Sequence, residues 1–207
     1  MSSYIVFDFE TTGLSPNQGD RTIEVGAVLV ENGKITDKFQ TLMNPGKRIP
    51  SFIENYTGIT NEMLASAPPN SISMAKLARF IGKTPLIAHN ASFDKKFLEH
   101  ELKLIGKTAT QPIACSLLVA RRIYQEAPNH KLKTLIELNR IKISGDFHRA
   151  LADAEMTAHL WIKMLEDIQT KYKLSEVDFN LMHLLTTVPK KDIEPFLLNR
   201  NSTRPAR

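Results

Sequence analysis

The chain has 207 residues, of which 42% are hydrophobic and 24% charged, as is typical of soluble globular proteins. This length fits one domain, or one domain with a short appendage, and is enough to bury a hydrophobic core. No apolar stretch reaches the roughly 18–20 residues that a membrane-spanning helix needs, and a single cysteine, Cys115, excludes an internal disulfide framework.

The charge of the chain is mildly basic, with 27 Lys and Arg residues against 22 Asp and Glu residues. Seven basic and four acidic residues lie from Lys171 to the end, so the first 170 residues are close to neutral. This nearly neutral part of the chain would have to bind a polyanion through local basic residues or bound cations. The N-terminal residues contain no secretory signal, and Cys115 lies in an apolar stretch as a buried hydrophobe would, so we expect a cytoplasmic protein.

The first predicted element is a strand over residues 3–10, whose side chains alternate between two faces. One face holds the apolar residues Ile5, Phe7 and Phe9. The other face begins with two apolar residues and ends with two acids, in the order Tyr4, Val6, Asp8 and Glu10.

Two further strands are predicted next. Residues 22–30 are nearly all apolar, which is typical of a strand in the middle of a sheet. Asn32 and Gly33 then form a strong hairpin signal, so residues 35–43 should return antiparallel to the second strand.

Helices and short strands alternate in the rest of the chain. Helices are predicted over residues 71–81, 91–106, about 115–122, 131–139 and 150–168, with short strands at 85–90 and 112–114. Three antiparallel strands followed by this alternation predict an α/β domain with one mixed sheet. After residue 171 we expect one or two short helices and a polar, frayed end.

The two acids of the first strand need a countercharge. Asp8 and Glu10 are two residues apart, so they lie on one face within a few ångströms of each other. Like charges at that distance raise each other's pKa, and Mg²⁺ or Mn²⁺ with oxygen ligands is a common solution. The alternative is that both acids simply emerge into solvent before the Thr-Thr-Gly turn.

Two later segments add further acids. Asp94 lies in the first turn of a predicted helix, where a negative charge also suits the helix dipole. In the same segment, Asn90 is a candidate helix cap, and His89 more often bonds a backbone group than a metal. Asp153 begins the long helix, and His148, five residues earlier, should lie in the turn before it.

Together these segments resemble the three motifs of the DEDDh branch of the DnaQ-like 3′–5′ exonucleases. The matching segments, in the family's order, are FDFETTGL (7–14), HNASFDKKFL (89–98) and HRALADAEMT (148–157). The resemblance covers roughly residues 3–170 and implies a ribonuclease H-like fold, with a central mixed five-stranded sheet flanked by helices. It implies an exonuclease domain over residues 1–170, and the residues that follow, 171–207, are expected to form a short helical C-terminal extension with a polar, frayed end.

The resemblance also implies a role for each site residue. Asp8 would bridge two divalent cations, Mg²⁺ or Mn²⁺, while Glu10 and Asp153 would each help to hold one of them. Asp94 would act mostly through bound water. The cations would activate a water and stabilise the leaving 3′ oxygen. His148 would be the general base, since an unperturbed imidazole titrates at about 6.5.

Substrate contacts are also implied by the resemblance. The backbone at Thr11 and Thr12 resembles the segment that touches the terminal nucleotide, and Ile59 and Phe93 resemble apolar residues that pack on its base or sugar. Such contacts tolerate any base. Core packing remains the alternative for Ile59 and Phe93. Glu24 is a lone acid in the second strand that either supports the site or caps a backbone group, so it stays outside the catalytic set.

The expected function is removal of nucleoside 5′-monophosphates from the 3′ end of single-stranded DNA. RNA trimming, a proofreading role like that of the polymerase epsilon subunit, and a non-catalytic nucleic-acid-binding scaffold are the alternatives. The segment after residue 171 is short and shows no convincing clamp-binding peptide, which favours a stand-alone or accessory enzyme, for example in DNA repair. A homodimer and a polymerase or repair partner are both compatible with the resemblance, and no membrane partner is expected.

Overall fold

The computed structural model describes residues 3–142 and 149–202, and within them the chain forms one five-stranded sheet. The strands are β1 (Ser3–Thr11), β2 (Thr22–Glu31), β3 (Lys34–Leu42), β4 (Leu86–Ala88) and β5 (Ile113–Cys115). Their order across the sheet is β3-β2-β1-β4-β5. The β1–β2 and β2–β3 pairs are antiparallel, whereas β1–β4 and β4–β5 are parallel. This confirms the predicted mixed sheet and its three antiparallel opening strands.

Helices cover both faces of the sheet. They are α1 (Ser51–Thr57), α2 (Asn61–Ala65), α3 (Asn70–Ile81), α4 (Ala91–Leu104), α5 (Ser116–Ile123), α6 (Leu132–Leu138), α7 (Ala150–Tyr172), α8 (Phe179–Leu185) and α9 (Ile193–Ser202). Every predicted helix is present, and α7 runs four residues beyond its predicted end at 168. The sequence predicts no element for α1 and α2, because seven and five residues are too few to show helical periodicity.

The alternation of β1 distributes its side chains between two cores. Ile5, Phe7 and Phe9 are buried on the face that packs against α3 and α4. Tyr4 and Val6 are buried on the opposite face, beneath α7. The predicted faces of this strand are therefore confirmed, and the two acids at its end lie on the α7 side.

Helices α8 and α9 share the core beneath α7. Their buried side chains include Phe179, Met182, Leu185 and Leu197. The ring of Phe179 lies 6.4 Å from that of Trp161 on α7. The predicted domain boundary after residue 170 falls inside α7, so removing the chain from Lys171 onward would uncover this core. The end predicted to be frayed is helical as far as Ser202, and residues 203–207 lie outside the described residues.

Gly26 on β2 lets α7 rest directly on the sheet. A Cβ atom at this position would lie 2.1 Å from the backbone nitrogen of Leu151 and 2.2 Å from the carbonyl carbon of Ala150. Gly26 is also the residue paired with Asp8 across the β1–β2 ladder. The first turn of α7 is therefore brought to the level of the acids on β1.

The remaining expectations concern the membrane and the cysteine. Among the residues that the structure describes, no helix combines the length and apolar character needed to cross a bilayer. Cys115 is buried in the core on the α3–α4 side of the sheet, as a small hydrophobe would be.

Candidate active site

Three carboxylates meet at the C-terminal end of β1. Asp8 and Glu10 come from the strand, and Asp153 comes from the first turn of α7. Each offers one ligand oxygen, and these oxygens lie within 4.8 Å of one another. All three residues are half-buried, so the group is accessible from solvent on one side.

Asp94 reaches the same end of β1 from the other side. It lies in the first turn of α4, is only 2% exposed, and accepts a hydrogen bond of 3.1 Å from the backbone N–H of Phe9. This donor is available because β4 ends at Ala88 and pairs with β1 only at Ile5 and Val6. Asp94 is not part of the three-carboxylate group but lies close enough to act on its charge.

The acids raise one another's pKa. Burial is the largest cause and, with the charges of Asp153, Glu24 and Asp94, raises the pKa of Glu10 to about 8. Burial and then the charge of Asp94 hold the pKa of Asp8 well above its usual range. Burial also raises the pKa of Asp94 to about 7, although the hydrogen bond from Phe9 opposes the rise.

The donor set fits a hard divalent cation. Carboxylate oxygens are the ligands that Mg²⁺ and Mn²⁺ prefer, and a cation would relieve the repulsion that raises these pKa values. Asp8, Glu10 and Asp153 are the residues that could hold it directly, and Asp94 lies at the margin.

Glu24 is fully buried and has a structural role beside the group. Its carboxylate accepts hydrogen bonds from Gln40 Nε2 (2.9 Å), Arg149 Nη2 (2.7 Å) and the backbone N–H of Ala150 (3.0 Å). The structure shows that Glu24 caps a backbone group, which is one of the two roles that the sequence left open. The partner, Arg149, was missed, although it stands next to His148 in the third motif.

Of the two histidines in the matching segments, His89 is not a member of the three-carboxylate group and His148 lies outside the described residues. His148 is in the segment 143–148, which the structure does not describe. The ring nitrogens of His89 lie 2.8 Å from Ser116 Oγ and 3.1 Å from the carbonyl oxygen of His130. Burial lowers the pKa of His89 to about 4, so this ring is neutral and donates through Nε2 to His130. Asn90 precedes α4 with φ +67°, without a side-chain cap.

Thr11 and Thr12 brace the turn after β1. The Thr11 hydroxyl donates to the carbonyl oxygen of Gly13 (2.7 Å), and the Thr12 hydroxyl donates to Asp20 Oδ1 (3.0 Å). The backbone N–H of Thr12 donates to the carbonyl oxygen of Arg21 (2.9 Å). Both side chains are buried, so their hydroxyls hold the turn in shape.

Ile59 and Phe93 differ in their exposure. Ile59 is fully buried in a small cluster with Ile23, Ile49, Ile53 and Leu64. Its side chain therefore has the core position that the sequence left open as the alternative. Phe93 is half-buried, and the Lys96 ammonium lies 4.7 Å from the centre of its ring.

Three exposed apolar side chains lie on the segments beside the site and were missed by the sequence analysis. Leu14 is 76% exposed in the turn after β1, and Phe52 and Tyr56 are 64% and 60% exposed on α1. Burial, then the charges of Glu10, Asp153 and Asp8, raise the pKa of Tyr56, so its hydroxyl is near the carboxylates. The only signal in the sequence was large apolar residues within otherwise polar segments.

Comparison with known proteins finds a matching family and similar proteins. The family described as Exonuclease (RNase_T) matches residues 5–161, which is most of the chain. The chain is 41% identical over 189 residues to the PolC-type DNA polymerase III of Caldanaerobacter subterraneus subsp. tengcongensis. The match covers 90% of this chain but 13% of that protein, so the chain spans about an eighth of its length.

Solved structures show the same fold. A structure of exonuclease X in complex with 5′-overhanging duplex DNA superposes with a TM-score of 0.68 at 23% identity, covering 88% of this chain and 99% of that one. The nuclease domain of 3′hExo, a DEDDh family member bound to rAMP, gives a TM-score of 0.69 at 22% identity. It covers 80% of this chain and 92% of that one.

Proposed function

The chain belongs to the exonuclease family, and on this premise we propose that it is a metal-dependent 3′–5′ exonuclease acting on single-stranded DNA. Its products would be nucleoside 5′-monophosphates. One observation carries the proposal: Asp8, Glu10 and Asp153 place ligand oxygens within 4.8 Å of one another in a chain of this family.

The carboxylates would hold two divalent cations, Mg²⁺ or Mn²⁺. Bound there, the cations would lower the pKa of a water and stabilise the charge that develops on the leaving oxygen. Asp94 is fixed by its hydrogen bond to Phe9, so it would orient water at the margin of the site. His148, which precedes Arg149 in the third motif, would accept the proton of the attacking water.

The apolar side chains Leu14, Phe52 and Tyr56 support a single-stranded substrate. They stand exposed on the two segments that flank the carboxylates, and flat or apolar groups pack on any base without reading its edge. Phe93, with Lys96 over its ring, would add an apolar wall and a positive charge. Sequence-independent digestion of an unpaired 3′ end follows from such contacts.

The test uses single-stranded DNA and matched RNA labelled at the 5′ end, with Mg²⁺, Mn²⁺ or EDTA, resolved on a sequencing gel. A ladder that shortens from the 3′ end with metal and not with EDTA is expected. A faster rate on RNA would transfer the proposal to RNA trimming. No cleavage of either substrate by folded protein with metal would refute the proposal and favour a binding scaffold.

A proofreading role is the second candidate, and the identity to PolC-type DNA polymerase III favours it. A proofreading exonuclease should excise a mismatched 3′ terminus from a primer–template faster than a matched one, and should co-purify with a polymerase. Size-exclusion chromatography with light scattering of the same preparation would distinguish a monomer, a homodimer and a polymerase complex. A protein that acts equally on both termini and purifies alone would support the stand-alone enzyme.

A further inference from the structure

Glu24 occupies an unusual position for an acid outside the ligand set. It lies directly across the β1–β2 ladder from Glu10, on the same face of the sheet, and is fully buried. Left without a countercharge, it would add a further anion to a site where acids already repel one another. Its surroundings must therefore offset this charge.

The groups that offset the charge come mainly from the start of α7. Arg149 meets the Glu24 carboxylate through Nη2 at 2.7 Å and through Nε at 3.2 Å. The N–H of Ala150, the first residue of α7, donates to the same carboxylate at 3.0 Å. Planar, two-point contacts of this kind fix orientation as well as distance.

The same residue is linked to the ligand Asp153. The carbonyl oxygen of Arg149 accepts the backbone N–H of Asp153 at 3.1 Å, which closes the first turn of α7. Below this turn, Gly26 lacks the Cβ atom that would collide with the helix backbone at Ala150 and Leu151. The position of the turn is thus held on one side by the Glu24 carboxylate and on the other by strand backbone.

We propose that Glu24 and Arg149 are positioning residues that fix the first turn of α7 on the sheet and so determine where Asp153 meets Asp8 and Glu10. Neither residue contacts the cation or the substrate in this role. The rate measurement below rests on the proposed function, whereas the metal-binding measurement does not.

The test compares Arg149→Lys, Arg149→Met and Glu24→Gln with a matched control, Lys38→Met. Lys38 Nζ pairs with Glu155 Oε1 at 2.8 Å, so it also joins the sheet to the start of α7, two residues beyond Asp153. Mn²⁺ affinity is measured by calorimetry on the full chain without nucleic acid. kcat and KM are measured on a single-stranded oligonucleotide.

We expect Arg149→Met to weaken Mn²⁺ binding and to lower kcat by about 10- to 100-fold, the range found when partners of metal ligands are removed. KM for the oligonucleotide should stay within about twofold of the wild-type value, since the substrate contacts are untouched. Arg149→Lys keeps the charge but not the two-point contact, so its Mn²⁺ affinity and kcat should lie between those of the wild type and those of Arg149→Met. Lys38→Met should have the Mn²⁺ affinity, kcat and KM of the wild type.

Wild-type Mn²⁺ affinity and kcat in both Arg149→Lys and Glu24→Gln would overturn the proposal, and these two variants decide it if Arg149→Met does not fold. An equal loss of Mn²⁺ affinity and kcat in Lys38→Met would also overturn the proposal. The effect would then follow from breaking any contact between α7 and the sheet, and not from the Glu24–Arg149 pair. If the wild type proves inactive, the proposed function fails, and the Mn²⁺ affinities still decide the role of the pair.

Discussion

The contact between β1 and α7 has an apolar end and an acidic end. At one end Tyr4 packs edge-on against Trp161, with ring centres 6.3 Å apart and both side chains buried. At the other end Asp8 and Glu10 lie against Asp153. The same strand face and the same helix build both ends, so the candidate site is a continuation of the core with acids in place of hydrophobic side chains.

The two ends contribute to stability with opposite signs. Burying Trp161 and Tyr4 removes apolar surface from water and stabilises the fold. The folded-state pKa of Glu10 is raised to about 8, so the folded protein binds a proton more tightly than the unfolded chain does. Without metal, stability should therefore fall as the pH rises from about 4.5 toward 8, because ionised Glu10 is disfavoured in the folded state.

The largest effect is expected at the acidic end. Replacing Asp8 and Glu10 together by Ala should lower the exonuclease rate by more than about 100-fold, since partners that merely support metal ligands already cost about 10- to 100-fold. The metal-free double variant should melt at a higher temperature than the wild type at pH 8, because the repulsion is gone. Asp37→Ala, on the exposed strand β3, is the matched control. Wild-type turnover in the double variant would refute the assignment of Asp8 and Glu10 to the active site.

Replacing His148 by Ala separates proton transfer from metal binding. Loss of a general base costs about 100- to 10,000-fold in rate, whereas the carboxylate group should keep its Mn²⁺ affinity. Single-turnover rates and calorimetry measure the two quantities on one preparation. Normal turnover at neutral pH would show that another group accepts the proton.

At the apolar end, Trp161→Ala should lower stability and leave the exonuclease rate nearly unchanged. We expect a loss of about 3–5 kcal/mol in the free energy of unfolding, the usual cost of truncating a large buried aromatic residue. At a temperature where the variant is folded, kcat should remain close to wild type. Urea unfolding measures the first quantity, with Leu138→Ala as a control because Leu138 is 50% exposed. A variant with wild-type stability and low kcat would contradict this prediction, because the apolar end would then affect catalysis and not stability.

Metal binding should also depend on pH. Glu10, with a pKa of about 8, must lose its proton before it can hold a cation directly. Asp94, with a pKa of about 7, must lose its own proton before it can accept a hydrogen bond from water on the cation. Mn²⁺ affinity should therefore rise from pH 6 to pH 8, by up to about tenfold per unit for each proton displaced. Calorimetry in buffers of different ionisation enthalpy counts the protons released. A flat profile would mean that the acids are already ionised without metal.

Local pattern was enough to predict much of this protein. The alternation of β1 placed Tyr4 and Val6 on one face with Asp8 and Glu10, and the helical spacing of α7 placed Asp153 in its first turn. Because the period of a strand is two, the identity of each face follows from the sequence alone.

Tertiary contacts account for what the sequence did not predict. Nothing in β2 indicates that Glu24 binds the start of α7, since the two lie more than 120 residues apart. Ile59 and Tyr56 are neighbours in the sequence, yet one is buried in the core and the other is exposed near the carboxylates. Tyr56 lies on α1 and Ile59 lies between α1 and α2, and two helices of seven and five residues carry too little pattern to predict how either side chain packs.

Strand β4 is only three residues long, and β1 continues well past it to Thr11. Along those last residues, β1 has a neighbouring strand on its β2 side and an open edge on its β4 side. Phe9 offers its N–H on that edge to Asp94. If β4 were longer by a few residues, it would pair with this edge, and the Phe9 N–H would donate to β4 instead of to Asp94. The candidate active site therefore lies beside an interruption in a hydrogen-bond ladder, beyond the point where β4 ends.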